Sequence, residues 1–117
     1  MSTDEFMTRR YHKRDYNCAH LVVEVFERLR GPDVAQVLRA YLCAPEERRS
    51  RRADLRKAVV LHEPVTPCVV LMQRKRETHV GVWLNGRVLH IMEGRGVMHV
   101  PLEVASLGFS RVRFFTC

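Results

Sequence analysis

Two histidines and one cysteine hold the reactive potential of this chain. Asn85-Gly86 separates two runs of alternating polarity, and that dipeptide signals a hairpin because a type I′ turn needs positive φ at both central residues. A two-residue loop sets Leu84 opposite Arg87, Trp83 opposite Val88, Val82 opposite Leu89, Gly81 opposite His90 and Val80 opposite Ile91. Side chains alternate between the faces of a strand. His79, Gly81 and Trp83 therefore share one face with Val88 and His90, while Val80, Val82 and Leu84 share the other with Leu89 and Ile91. His79 and His90 become diagonal neighbours at a backbone spacing of roughly 7–8 Å, which imidazole rings can bridge. Gly81 leaves room beside them. Histidine is the usual general base near neutral pH, and a second polar group can fix its tautomer.

Cys18 supplies a candidate nucleophile. It stands where a helix begins, and the unpaired N–H groups and positive dipole end of a helix favour a thiolate. Helical spacing aligns it with Val22, Val25 and Leu29, so its sulfur faces the sheet that the helix packs on. If that is the histidine-bearing face, Cys18, His79 and His90 form a nucleophile, base and orienter set for acyl transfer. A buried apolar role is the bland alternative for Cys18 and the one assigned to Cys43 and Cys68; Cys117 stays unassigned. His20 is about 200° around the helix from Cys18, toward Glu24, and is no partner for it. Cys18, His79, His90 and His99 are zinc-type ligands, but their spacing matches no familiar zinc motif, so no metal is expected.

The elements that must position these residues fall into helices first and strands after. Leu21, Val22, Val25, Phe26 and Leu29 give a helix from Cys18 to Arg30, stopped by Gly31-Pro32. A second helix runs from an Asp33 N-cap to Leu42, ahead of Pro45, and a third, basic one from Glu46 to about Val60. Strands follow over Cys68–Met72, His79–Leu84, Arg87–Met92 and Gly96–Val100, then a short helix over Pro101–Leu107 and a last strand over Ser110–Phe115. This segregation predicts an α+β domain with an antiparallel sheet. Residues 1–16 read as an extended polar arm and 17–117 as the domain.

With 117 residues, one domain can bury roughly two-thirds of its unfolded surface without staples. Every apolar run is interrupted by charge, so no membrane span is expected, and the N-terminal residues do not read as a secretory signal. Cytoplasmic synthesis makes reduced thiols the default for the four cysteines. The net charge of +7 concentrates between Arg48 and Lys57 in RRSRRADLRK. Such a patch suits an acidic protein, an anionic envelope or nucleic acid, though the missing aromatics argue against a stacking platform for single strands.

YNCAHLVVEVF and THVGVWLNGRVLHI together resemble the NlpC/P60 family of papain-like cysteine peptidases, especially the compact versions in tailed bacteriophages. The resemblance spans most of the chain, although family members usually read D-C-S-G or D-C-W-G where this one has Asn17-Cys18-Ala19-His20. It implies N-terminal helices packed on a small antiparallel sheet, Cys18 as nucleophile, His79 as base and His90 as orienter. The Cys18 N–H would help hold the oxyanion, and Tyr16 or Tyr11 would assist. The implied activity is hydrolysis of amide bonds in bacterial cell-wall peptides without metal or cofactor. The implied setting is a phage tail, made in the host cytoplasm, with other tail proteins as partners and Arg48–Lys57 as a docking segment. A catalytically silent assembly protein of the tail tip is the alternative.

Overall fold

The computed structural model describes residues 2–42 and 59–116. Cys43, Cys117, the basic Arg48–Lys57 segment and most of the third expected helix lie outside the described residues. Four helices and six strands are described: α1 (Asp4–Met7), α2 (Cys18–Arg30), α3 (Pro32–Leu42), β1 (Val59–Leu61), β2 (Cys68–Arg74), β3 (Glu77–Leu84), β4 (Arg87–Met92), β5 (Gly96–Val100), α4 (Leu102–Ala105) and β6 (Arg111–Thr116). The strands form one antiparallel sheet in the order β1-β6-β2-β3-β4-β5. The fold is α+β, as the helix-then-strand pattern predicts. No helix among the described residues is long and apolar enough to cross a membrane.

The helix α2 begins where the Asn17 side chain accepts from the Ala19 and His20 amides at 3.0 and 3.4 Å. The His20 ring returns the interaction, its Nδ1 accepting from the Asn17 amide at 3.1 Å, and this reciprocal cap satisfies orphan donors at both ends of the turn. Gly31, at φ +93, ends α2 and accepts the first bond of α3. Pro32, and not a residue after an Asp33 cap, takes the first helical position, where a missing N–H removes no bond.

Two further differences have physical causes. Asp4–Met7 is helical where the polar pattern predicts an extended arm, because Phe6 is only 1% exposed and joins the main core. Arg28 to Glu5 at 2.7 Å and Arg9 to Glu24 at 2.8 Å tie that segment to α2. Val59–Leu61, expected at the end of a basic helix, instead pairs with β6, which offers it a free ladder of backbone groups.

Two apolar clusters lie on the two faces of the sheet. On one, α2 and α3 bring Leu21, Val22, Val25, Phe26 and Leu38 against Val69, Val80, Val82, Leu84, Leu89, Ile91 and Phe115. On the other, Ala105 of α4 closes over Val70, Met72 and Val88, with Trp83, Phe109 and Phe114 packed around them and half-buried.

Candidate active site

The β3–β4 turn has Asn85 at φ 53 and Gly86 at φ 78, both positive as type I′ geometry requires. Leu84 pairs with Arg87, Trp83 with Val88 and Val82 with Leu89, the register expected from the turn. His79 pairs with Met72 of β2, and His90 with Met98 of β5. Both rings project from the face that carries Met72 and Val88. There His79 Nε2 and His90 Nδ1 meet at 2.8 Å, with the rings edge-to-face and their centroids 5.1 Å apart. Gly81 is required by close packing: a Cβ there would lie 2.8 Å from Val88 Cγ1, 2.9 Å from the Leu89 carbonyl and 3.2 Å from His90 Cβ.

The pair is buried, His79 at 9% and His90 at 1% exposure. Burial disfavours the charged imidazolium, which lowers the pKa of both rings; a weaker contribution from Glu77 raises that of His79, while the proximity of His79 further depresses His90, to about 4. Both rings are therefore neutral at pH 7. One N–H lies between them, and His90 Nε2 is buried with no partner. Leaving a bare lone pair there is less unfavourable than leaving an orphaned N–H. The favoured arrangement thus has His90 Nδ1–H donating to His79 Nε2, with His90 fixing the tautomer. In that arrangement His79 carries its own proton on Nδ1; the exchanged arrangement, with His79 Nε2–H donating to His90 Nδ1, frees His79 Nδ1 to accept a proton and leaves the His90 Nε2–H without a partner.

Cys18 occupies the first position of α2 and packs against the α2-face cluster, so its sulfur does face the sheet. That face is not the one bearing the histidines. Val80 and Ile91 point toward α2, and their neighbours His79 and His90 point away, so the structure brings the imidazoles together without bringing the thiol to them. Tyr11 lies within electrostatic reach of both Cys18 and Glu93, the latter in the turn just after β4.

Of the two candidate assisting tyrosines, Tyr11 is the one within electrostatic reach of Cys18, and burial is the main cause holding its phenol protonated above the usual range. Tyr16 is pushed up further, by burial first and Glu24 second; it stacks near His20 at 6.3 Å. Cys68 lies on the histidine face, but it pairs with Trp83 at the far end of β3, about 13 Å along the strand from His79 at roughly 3.3 Å per residue. Its thiol is buried and pushed up by that burial, which makes it a poor nucleophile. His99 Nε2 donates to the Leu84 carbonyl at 2.7 Å. Among the described residues, no three His, Cys, Asp or Glu side chains are grouped to hold a metal.

Phe109 was not singled out by sequence pattern, yet its ring stacks on His79 at 5.9 Å with an interplanar angle of 14°. Arg74 lies over Phe109, its guanidinium carbon 5.3 Å from the ring centroid. A lone aromatic after Gly108 has no periodic signal to mark it. Against family models, curated proteins and solved structures, the chain shows no match.

Proposed function

We propose that this chain is a cysteine hydrolase with the papain-like NlpC/P60 fold, acting on amide bonds of peptidoglycan stem peptides as a component of a phage tail. The observation that carries the reading is the buried His79–His90 hydrogen bond. Two neutral imidazoles in a low-dielectric site are an expensive way to fill a core, and one orienting the other is the arrangement proton transfer needs. The substrate class and the tail setting come from the resemblance of YNCAHLVVEVF and THVGVWLNGRVLHI to that family.

In this mechanism the pair takes the tautomer in which His79 Nε2–H donates to His90 Nδ1, the bare His79 Nδ1 takes the Cys18 proton, and the thiolate attacks the carbonyl carbon. The Cys18 amide supports the oxyanion. The imidazolium then returns the proton to the leaving amine, and a water deprotonated by His79 hydrolyses the thioester. The step requires the start of α2 to carry Cys18 from its own face of the sheet to the face that bears His79.

A second reading, a catalytically silent assembly protein of the tail tip, is favoured by the placement of Cys18 on the face opposite the histidines. Alkylation of the native protein across pH 4–9, with each cysteine quantified by mass spectrometry, separates the two. The hydrolase predicts that Cys18 reacts fastest, with an apparent pKa below the ordinary value of about 8.5, and that His79→Ala removes the advantage. A Cys18 as slow as Cys68, or indifferent to His79→Ala, assigns the chain to the assembly role.

A further inference from the structure

The β2–β3 hairpin closes with Arg74, Lys75, Arg76 and Glu77, and these line an open cleft together with Gly108 and Ser110. Three cations face one carboxylate there. Arg74 is held from two sides: its Nε donates to Glu77 at 2.6 Å, and its guanidinium lies over the Phe109 ring. Its Nη1 turns toward Gly108, where a Cβ would come within 3.0 Å, and the φ of +84 at Gly108 further disfavours any side chain. Ser110, also lining the cleft, is pinned by its amide and hydroxyl, which both donate to the Gln73 carbonyl at 2.9 and 3.2 Å.

An arginine whose Nε is engaged and whose plane is fixed presents its remaining N–H groups as a prepared fork, the geometry that recognises a carboxylate. Glu77 demonstrates that a carboxylate settles against this guanidinium. The cleft also adjoins the histidines, since Phe109 contacts Arg74 and stacks on His79. Those two spacings together put the guanidinium within about three residues of extended chain from the imidazole, at roughly 3.3–3.6 Å each.

We infer that this cleft is a carboxylate-binding subsite anchored by Arg74, which holds an acidic group of the substrate a few residues from the bond cleaved at His79. The assignment of the bound group to a substrate rests on the hydrolase reading; carboxylate binding itself does not.

The test uses the full chain, N-acetyl-glutamate as probe and N-acetyl-glutamine amide as its neutral counterpart, read by backbone amide shifts of Lys75, Gly108 and Ser110. Saturable shifts are expected with the carboxylate only, in the millimolar range typical of so small a ligand. Arg74→Gln should weaken binding roughly tenfold, the loss of one charge-assisted fork. The double variant Lys75→Gln/Arg76→Gln, which leaves the Phe109 stack alone, should weaken it about two- to threefold. Equal shifts from the neutral compound, no shifts from the carboxylate, or inorganic phosphate bound as tightly with the same Arg74 dependence would each overturn the assignment. Carboxylate binding with an inert Cys18 upholds the subsite and removes the hydrolase; a reactive Cys18 without carboxylate binding does the reverse.

Discussion

The two faces of the sheet are built to different specifications. The α2 face is an apolar core, packed on by two helices, in which Leu21, Val22, Val25, Val82, Leu89 and Ile91 have no exposed surface. Among the described residues, the opposite face is covered by a one-turn helix and Phe109, leaves Trp83 and Phe114 half-buried in an edge-to-face pair, and encloses two histidines. Stability is concentrated on the first face and unmet chemical potential on the second. The same five strands, β2 to β6, serve both because their side chains alternate.

That contrast can be broken most directly by truncation. Phe26→Ala on the α2 face removes a buried ring from a site with little freedom to collapse and should cost about 3–5 kcal/mol in urea unfolding. Trp83→Ala, which starts from a half-buried side chain, should cost less than half as much; equal losses would show that the second face is as tightly built as the first. Acid provides the next test. Both histidines are shifted below their unfolded pKa near 6.5, so the unfolded chain binds more protons than the folded one between that value and about 4, the folded value of His90. Stability is thus fully present above pH 6.5 and falls as the pH drops through this window, by up to about 1.4 kcal/mol per pH unit for each histidine that must charge. His90→Gln should flatten the dependence measured between pH 7 and 5. The smallest effect belongs to the start of α2: Asn17→Ala deletes the cap and should cost about 1 kcal/mol. If that loss is accompanied by faster alkylation of Cys18, the first turn of α2 is the moving part that the hydrolase needs.

Much of this was legible in the sequence where periodicity is strong. Cys18–Arg30, Arg87–Met92 and Gly96–Val100 have the bounds that their apolar spacing predicts, and Asn85-Gly86 fixed the register that brings His79 to His90. The face that α2 would choose was not legible. Gly81, Trp83 and Val88 make the histidine face nearly as apolar as the face of Val80, Val82 and Leu84, and only tertiary packing decides between them. Phe6 was hidden because one aromatic in a polar stretch has no period. The reciprocal cap escaped notice because histidine stands at position 20, where glutamate or glutamine is the usual partner. Arg74 and Phe109 are far apart in the chain and meet only through the fold.

The strand order has a consequence for how the chain folds. β6 follows every other described strand in the sequence, yet it lies between β1 and β2 and supplies the only pairing of β1 among the described residues. β2 to β5 can assemble as successive local pairings, whereas β6 must return across the sheet to the free edge of β2 before β1 has a partner. A chain truncated before Arg111 would therefore present a sheet with an open flank and a homeless β1, the kind of exposed edge that invites pairing with another chain.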